Sequence, residues 1–248
     1  MASRKSRAKP AKKEKASRRP KNYAWPEPER TRRQLSRAEI VEAALAVLKA
    51  QGFDGLTMRA LAERLEIKAA SLYNHVRDKD ELLALMADAI SADIPDPDPS
   101  KSWREQAEAI ASDYRRVLMS YRDGARVLAA TPPIGPNRIR MIEGVLQTLQ
   151  KAGFPASMIV DASFVLNSYV VGFVLDEETG RPREPEALAR RHEEAKRWFR
   201  ALPKEQFPTL TALGDELIDA PSDRRFQTGL RALLDGFELQ LGKARPGS

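Results

Sequence analysis

The sequence predicts an all-α protein in which a small N-terminal helix-turn-helix domain of three helices precedes a larger helical domain. Three observations support this class. Apolar residues recur three or four positions apart through most of the chain, capping residues stand before these segments, and glycines and prolines separate them. No alternating apolar and polar run exceeds a few residues, and the β-prone stretch 170–175 lies inside a longer helical pattern.

The first three helices are predicted from their caps. Ser36 and Glu39 form an S-x-x-E capping box before apolar residues at helical spacing, and Gly52 stands where a glycine ends a helix. Thr57 is placed to cap a second helix. A third, short helix is predicted over residues 69–75.

A fourth helix is predicted from about Lys79 to Ala92. Asp78 and Glu81 repeat the capping pattern at its start, and Pro95 requires it to end. The stretch 93–100 alternates prolines with acids, which is typical of a connection between domains.

The rest of the chain is predicted to be mainly helical. Ser102 and Glu105 form a capping box for a fifth helix that reaches about Tyr121, and the three prolines of 131–136 interrupt the chain. Further helices are predicted at about 137–151, 156–177, 185–201 and 222–241.

Positive charge is concentrated at the N-terminus. The net charge is +7, and residues 1–34 hold thirteen Lys and Arg against three Glu, a net +10, so that residues 35–248 sum to −3. Residues 1–34 have almost no aliphatic side chains, which predicts a disordered basic tail. Such a tail also binds DNA non-specifically, and Arg30, Arg32 and Arg33 lie close enough to the first helix to reach DNA. The charge pattern leaves both interpretations open.

Composition excludes several classes of protein. The absence of cysteine excludes disulfides and thiolate metal sites, and the chain has only two histidines and no common catalytic motif, so we predict no enzyme. No apolar run follows the basic N-terminus, and no apolar stretch approaches the ~20 residues that span a bilayer. We therefore expect a soluble cytoplasmic protein with no membrane partner. Four segments are predicted: the tail over 1–34, a helix-turn-helix domain with its linking fourth helix over 35–92, a larger domain over 93–241, and a flexible C-terminus over 242–248.

Residues 58–75 have the spacing of a helix-turn-helix, in which the second helix enters the major groove of DNA. Leu72 and Val76 mark the buried side of that helix. Polar side chains crowd the other side, where Asn and Ser read base edges and Lys, Tyr and His bind phosphates. These side chains are Lys68, Ser71, Tyr73, Asn74 and His75. On these residues alone, an ordinary solvated helix face is the simpler interpretation.

A longer motif consists of Leu56-Thr57-Met58-Arg59-Ala60-Leu61-Ala62, Leu72-Tyr73-Asn74-His75-Val76 and Lys79-Asp80-Glu81-Leu82-Leu83. This motif resembles the DNA-binding domain of the TetR family. The resemblance implies that Thr57 and Arg59 contact DNA from the second helix and that Lys79 binds phosphate, aided by a helix N-terminus. It also implies a recognition helix formed by Lys68, Ala69, Ala70, Ser71, Tyr73, Asn74 and His75. Glu66 departs from the family pattern, which often has glycine in the turn, and a positive φ there would cost ~1–2 kcal/mol.

The second domain carries Trp103, Arg115-Arg116, Tyr121-Arg122-Asp123-Gly124-Ala125, Thr131, Pro133, Gly153-Phe154 and Gly172-Phe173-Val174-Leu175-Asp176-Glu177. In this order the residues resemble the tetracycline-repressor subgroup of the TetR family. The resemblance covers residues 36–241 and weakens between 179 and 221. It implies a homodimer in which the helices at 156–177 and 222–241 pair across a two-fold axis, on a palindromic operator in double-stranded DNA. The apolar stripes of these two helices are also typical of core helices.

The resemblance further implies a small-molecule effector site. Tetracycline repressors hold a magnesium–drug complex with histidine and polar side chains, but the matching positions here are Leu128, Ile110 and Gly144. Because Mg²⁺ needs oxygen ligands, we predict no metal, no cofactor and an effector other than tetracycline–Mg²⁺. A more apolar effector fits the implied lining, to which Asp176 is added as the expected carboxylate. The lining is Tyr114, Leu128, Pro133, Met141, Val145, Val160, Ser163, Phe164 and Asn167. For any single one of these residues, packing in a core is the simpler interpretation, and only its position in the resemblance favours a ligand contact.

The sequence therefore predicts a TetR-like transcriptional regulator, a repressor in the usual mode of that family. Its effector would stabilise a conformation whose recognition helices are misplaced for DNA, with the fourth helix as the connection. The alternative is a non-specific DNA-binding protein driven by the basic tail. The near-neutral charge of the remaining chain argues against that alternative.

Overall fold

The computed structural model describes residues 35–179 and 184–244, and in these ranges the chain is helical with no β-strand. The all-α prediction is confirmed, while the predicted tail, with Arg30, Arg32 and Arg33, lies outside the described residues. The helices are α1 Arg37–Gly55, α2 Met58–Arg64, α3 Ala69–Leu72, α4 Lys79–Ala92, α5 Trp103–Ser120, α6 Gly124–Ala129, α7 Pro136–Lys151, α8 Ala156–Glu178, α9 Pro185–Arg200, α10 Pro208–Asp219 and α11 Ser222–Ala244.

The predicted caps start the first two helices. Ser36 Oγ accepts from the backbone N–H of Glu39, and the Glu39 carboxylate accepts from the N–H of Ser36, so the capping box is present. Thr57 Oγ1 accepts from the N–H of Ala60 at 3.1 Å and caps α2. Gly52 adopts a φ of 77° and kinks α1, but the helix continues to Gly55, so its predicted end at Gly52 is three residues early.

The third helix is shorter than predicted, because α3 ends at Leu72 and not at His75. After Ser71 the backbone closes tighter turns: the N–H of Asn74 donates to Ser71 O, and that of His75 donates to Leu72 O. Leu72 and Val76 are buried, as predicted.

α4 has the bounds that the sequence predicts, and it packs against α1, α5, α6 and α7. Leu82, Met86 and Ile90 are fully buried along its length. Asp78 Oδ1 accepts from the N–H of Glu81 at 2.8 Å and fixes the start of the helix. Through α4, the helix-turn-helix and the later helices share one hydrophobic core.

Two helices, α6 and α10, are missing from the sequence predictions. α6 has six residues and no side-chain cap, because Asp123 before it adopts a left-handed φ of 55°. α10 begins at Pro208, and Phe207 before it has no capping oxygen. Predicted helices such as α7 and α8 also begin without a side-chain cap, so the missing cap alone does not explain why α6 and α10 were not predicted. α11 continues to Ala244, three residues beyond its predicted end at 241.

The apolar stripes of α8 and α11 have different surroundings. The stripe of α11 is largely buried in the chain's own core, while Leu239 on the same helix is 61% exposed, so the place of α11 in a dimer interface stays a prediction. Its buried residues are Phe226, Leu230, Leu234, Phe237 and Leu241. On α8 one face is buried at Ala162, Leu166, Val170 and Val174. On the other, Val160 and Phe164 are 63% and 70% exposed.

A buried ion pair joins α5 to α8. Arg115 donates to Glu177 at 2.5 and 2.9 Å, and the two side chains are 11% and 6% exposed. Arg115 also donates to Asp223 of α11 at 2.7 Å, and its guanidinium lies over the rings of Phe173 and Phe226. Hydrogen bonds from the guanidinium to Glu177 raise the pKa of Arg115. These contacts fix three helices relative to one another.

α9 and α10 form a hairpin in which the two helices pack against each other. Ion pairs from Arg200 to Asp215 and from Lys196 to Asp219 link them. Trp198, Leu213 and Leu217 remain exposed on this α9–α10 hairpin.

One helix within the described ranges, α8, is long and apolar enough to cross a membrane by length and composition. It has 23 residues with a mean hydropathy of 1.8 over its most apolar window, of which 22% is buried. The prediction that no apolar stretch approaches this length is therefore wrong. Core helices of soluble proteins pass the same test, so the feature to be explained is the exposed apolar side of α8.

Candidate DNA-facing surface and ligand cavity

The predicted DNA-contacting residues belong to α2 and its cap, α3 and the residues around it, and the start of α4, and together they are called the DNA-facing surface. Eight of these residues are exposed: Thr57, Arg59, Lys68, Ala69, Ala70, Ser71, Tyr73 and Asn74. His75 and Lys79 are half-buried. The Tyr73 ring is 52% exposed although it is apolar, so it is available to contact another molecule.

Two of the cations on this surface are held by weak contacts. Arg59 Nε lies 2.9 Å from Glu63 Oε1 on the same helix, and both side chains are mostly exposed. Lys79 Nζ lies 5.2 Å from the centroid of the Phe53 ring. Exposed contacts of this kind contribute only about 0.2–1 kcal/mol each, so both cations are free to exchange them for phosphates.

Glu66 adopts a φ of 56°, which confirms the departure noted in the turn. The turn is fixed by backbone bonds, because the N–H of Glu66 donates to Glu63 O and that of Ile67 donates to Ala62 O. A side chain in this left-handed region carries a strain of ~1–2 kcal/mol.

Two arginines that the sequence analysis omits lie beside the start of α4. Arg37 and Arg77 each approach Glu81 to 3.2 Å, with side chains 64% and 82% exposed. The N–H of Arg77 also donates to this carboxylate, and that bond is the largest cause lowering the pKa of Glu81. A basic residue between the recognition run and the Asp78 cap was the available signal for Arg77.

A cavity of about 500 Å³ lies among α5, α6, α7 and α8, and most of its wall is apolar. Nine of the ten predicted effector residues line it: Tyr114, Leu128, Pro133, Met141, Val145, Val160, Ser163, Phe164 and Asn167. Val160 and Phe164 are large apolar residues of α8 that are exposed, so they lie at the open side of the cavity. That these residues bind an effector stays a prediction.

Asp176 does not line the cavity, and its side chain is exposed. It lies five residues beyond Val171, the last lining residue of α8. At ~100° per residue, that separation turns the side chain roughly 140° around the helix, away from the cavity. The structure thus separates the predicted carboxylate from the rest of the predicted site.

Most polar groups in the wall are satisfied by the protein itself. Tyr114 Oη donates to Asn167 Oδ1 at 3.3 Å, and burial raises the pKa of Tyr114 to about 12. Ser163 Oγ donates to Val160 O at 2.9 Å. Thr148 Oγ1 bonds to Gln106 Oε1 and Gly144 O at 3.0 and 2.9 Å.

Arg138 is the charged residue of the described cavity wall, and it is not among the predicted site residues. It lies in the first turn of α7, on the face that carries Met141 and Val145, so the lining stripe extended back by one turn would have found it. Its side-chain bonds all leave from Nη1, to Thr131 Oγ1 and O and to Pro132 O.

Asp88 connects α4 to the start of α7. Its Oδ1 accepts from the backbone N–H groups of Asn137 and Arg138 at 2.8 and 3.1 Å, and its Oδ2 accepts from Asn137 Nδ2 at 2.9 Å. Gly135 makes this approach possible, because its φ is 113° and a Cβ there would lie 2.5 Å from Asp88 Oδ1. Arg138 therefore lines the cavity with its side chain and is bound to Asp88 of α4 through its backbone N–H.

The segment before α6 holds the C-terminal part of α1. Arg122 Nη1 donates to Lys49 O and Ala50 O, and Asp123 Oδ2 accepts from the N–H of Phe53 at 2.7 Å. A Cβ at the kinked Gly52 would lie 2.8 Å from Asp123 Oδ2. Both this close contact and the positive φ of residue 52 therefore favour glycine.

A second pair strengthens this α1–α6 contact. Arg126 makes two bonds to Asp54, at 2.8 and 3.1 Å, and its guanidinium lies 4.5 Å from the Phe53 ring centroid. Glu178 lies nearby, and burial, followed by the charge of Asp123, raises its pKa to about 7.

Within the described ranges, no three metal-ligating side chains come together. At the positions that matter for a magnesium–drug complex, Leu128 and Ile110 line the cavity with hydrocarbon, and Gly144 faces Pro97. This set of groups does not fit the oxygen ligands that Mg²⁺ requires.

Two family models match most of the chain. One, described as bacterial regulatory proteins of the tetR family, matches residues 40–86, and the other, described as the tetracyclin repressor-like C-terminal domain, matches residues 96–241. The chain belongs to the TetR family. It is a TetR-family transcriptional regulator, and the family is one of regulators and not of enzymes.

Several similar proteins match most of the length of this TetR-family chain. The tetracycline repressor protein class A from transposon 1721 of Escherichia coli is 34% identical over 206 residues, 80% of this chain and 88% of the relative. The HTH-type transcriptional repressor DrrR1 of Streptomyces coeruleorubidus is 30% identical over 85% of this chain and 80% of its own. The TetR family protein ActR of Streptomyces coelicolor, solved in complex with actinorhodin, has a TM-score of 0.75 and 31% identity, covering 86% of this chain and 100% of ActR.

Proposed function

We propose that this regulator is a cytoplasmic, homodimeric repressor that binds a palindromic operator and leaves it when a small molecule enters the cavity. One observation carries the proposal. Arg138 lines the cavity and is bound through its backbone to Asp88 of α4, and α4 begins with Lys79 on the DNA-facing surface. The two candidate sites thus lie at the two ends of a short path of direct contacts.

The DNA-facing surface is suited to sequence recognition. Asn74 and Ser71 offer hydrogen-bonding groups to base edges, while Lys68 and Lys79 offer charges to phosphates. Buried Leu72 fixes the orientation of α3 against the core. The exposed groups are therefore held on a defined backbone, as recognition of a particular sequence requires.

The cavity is suited to an effector that displaces α4. A ligand that moves the start of α7 breaks or shifts the bonds to Asp88, and with them the part of α4 that leads to Lys79. Such a ligand favours the conformation that cannot bind DNA, by as much as its affinity differs between the two conformations. Operator DNA must weaken effector binding by the same factor.

The names of relatives support a ligand in this part of the fold. ActR has been solved with actinorhodin, and a single-residue variant of TetR from Acinetobacter baumannii AYE has been solved with minocycline, at a TM-score of 0.64 and 30% identity. At two positions where the resemblance to tetracycline repressors implies polar ligand-binding side chains, this chain has the hydrocarbon side chains of Leu128 and Ile110. We therefore infer an effector other than tetracycline–Mg²⁺.

The exposed apolar side chains support a homodimer. Phe164 of α8, Trp198 of the α9–α10 hairpin and Leu239 of α11 are each more than 60% exposed. We infer that some of these exposed apolar side chains belong to an interaction surface, because large apolar side chains left in water favour association. Sedimentation at micromolar concentration should give a dimer, and Phe164→Glu should shift it toward monomer. A monomeric wild-type chain at that concentration would contradict the dimer.

Selection of bound fragments from genomic DNA tests operator recognition. The full chain and a chain beginning at Leu35 should both recover one palindrome. Recovery of no sequence, or loss of binding without the first 34 residues, would favour the alternative of non-specific DNA binding through the basic N-terminus. The Tyr73→Ala and Asn74→Ala variants serve as controls, since non-specific binding would survive both.

A release assay on the recovered operator then tests the effector. Compounds are screened for loss of operator binding, and the affinity of each hit is measured with and without operator. Equal affinities in the two cases would contradict the population shift. In Asp88→Ala the hit should still bind the protein but should release the operator less completely.

A further inference from the structure

Arg138 places a positive charge in the cavity wall and has no ion-pair partner among the described residues. The side chain is 6% exposed, and the described wall contains no Asp or Glu. The nearest acid that acts on it is Asp88, whose oxygens are bonded to the backbone N–H groups of Asn137 and Arg138 and to the Asn137 amide. No ion pair therefore neutralises this guanidinium within the described residues.

The hydrogen bonds of the guanidinium are also incomplete. Nη1 donates to three neutral oxygens, Thr131 Oγ1 at 2.8 Å, Pro132 O at 3.2 Å and Thr131 O at 3.3 Å. Nε is buried with no partner. An arginine offers five N–H donors and remains charged at neutral pH, although burial lowers the pKa of Arg138. A buried charge without a counter-charge is costly, so this arrangement suits a site that a bound anion completes.

The remaining wall defines the other part of the ligand. Ile110, Leu128, Met141, Val145 and Phe164 present hydrocarbon, and the hydroxyls and amide of the wall are largely satisfied internally. A cavity of about 500 Å³ accommodates a molecule of drug-like size. One strong donor in an apolar cavity selects a ligand with one charged end.

We propose that the effector is an organic anion, an apolar body with a carboxylate or similar anionic oxygen group, and that Arg138 binds that group. This inference rests on the proposed effector role of the cavity. It adds a chemical class to it, and it makes Arg138 the residue that determines the preference for an anion.

Two fluorescent probes of nearly the same shape test the preference on the full chain. 1-Anilinonaphthalene-8-sulfonate carries an anionic sulfonate, and N-phenyl-1-naphthylamine is the same molecule without it. Titrations give the ratio of their dissociation constants for each variant. We expect the ratio to favour the anion at least tenfold more in wild type than in Arg138→Met, with Arg138→Lys between them.

Two control variants locate the effect. Arg140→Met removes a cation from the same helix outside the cavity wall, and it should keep the wild-type ratio. Leu128→Trp fills the cavity, and it should weaken both probes together. Thermal melting establishes that each variant is folded, and the wild-type, Arg140→Met and Leu128→Trp titrations are informative even where Arg138→Met is unstable.

The outcomes separate this inference from the proposed function. An equal ratio in wild type and Arg138→Met, or a ratio lost equally in Arg140→Met, would overturn the anion preference and leave the cavity as a neutral ligand site. Binding of neither probe, or binding unaffected by Leu128→Trp, would overturn the cavity as an effector site. Recovery of an operator by DNA selection is independent of both results.

Discussion

The DNA-facing surface and the cavity are built in opposite ways. The surface takes its residues from one stretch, 57–79, and most of their side chains are exposed with few partners. The cavity takes its wall from four helices between residues 107 and 171, and its one charged side chain is buried. Because exposed groups keep their water while buried groups lose it, substitutions on the surface should change binding, and substitutions in the body should change stability as well.

The largest effect is expected from the buried ion pair between α5 and α8. Arg115→Ala leaves Glu177 buried and without this partner, and we expect a loss of about 3–5 kcal/mol in the free energy of unfolding. Its neighbour Arg116 pairs with Asp113 at the surface and provides a matched control, so Arg116→Ala should cost less than about 0.5 kcal/mol. Urea denaturation measures both. Equal losses of unfolding free energy in the two variants would show that burial does not determine the cost of removing an ion pair.

A smaller effect, on binding and not on stability, is expected at the DNA-facing surface. Asn74→Ala should weaken operator binding by about 1–3 kcal/mol and relax the preference at one base position. Lys79→Ala should weaken binding to all sequences and reduce the slope of log affinity against log salt by about 1. Binding titrations at several salt concentrations distinguish them. A melting temperature that falls strongly in Asn74→Ala would contradict its place on the surface.

The contact between α1 and α6 should make stability depend on pH. The pKa of Glu178 is raised to about 7 in the folded chain from an ordinary value of 4.5. The folded state therefore binds this proton more tightly, and stability should fall as pH rises from 4.5 to 7. Allowing for solvent screening, the change is on the order of 1 kcal/mol. Glu178→Gln should flatten the dependence, while an unchanged pH profile would rule out this carboxyl as its source.

The smallest effect is expected in the turn of the helix-turn-helix. Glu66→Gly relieves the left-handed strain but gives the unfolded chain more freedom, so we expect a gain of about 0.5–1 kcal/mol. Glu63→Gly, at a helical position in α2, is the control and should destabilise by about 1 kcal/mol. If both substitutions destabilise, the turn carries no strain that glycine removes.

The difference between the DNA-facing surface and the cavity also explains which residues could be predicted from the sequence. The predicted recognition residues, such as Asn74, lie close together along the chain, and caps such as Ser36 and Asp78 act within one turn, so local patterns point to both. Helix α6 was missed because its six residues are too few for an apolar period to show, and Asp123 binds Phe53, 70 positions away, instead of capping. Arg138 was missed because its importance comes from the missing counter-charge, which only the assembled wall reveals. The likeness to tetracycline repressors supplied nine lining residues, and it misplaced Asp176, which the rotation of α8 carries away.

The kink at Gly52 has a consequence for protein engineering. The carbonyls of Lys49 and Ala50 and the N–H of Phe53 are satisfied by Arg122 and Asp123, which belong to the later part of the chain. A fragment cut after α4 would leave these groups to water and fray at the end of its longest helix. A chimera that joins this helix-turn-helix domain to the second domain of another relative must therefore carry compatible residues at positions 52, 122 and 123. Otherwise the end of α1 will pack poorly against the second domain.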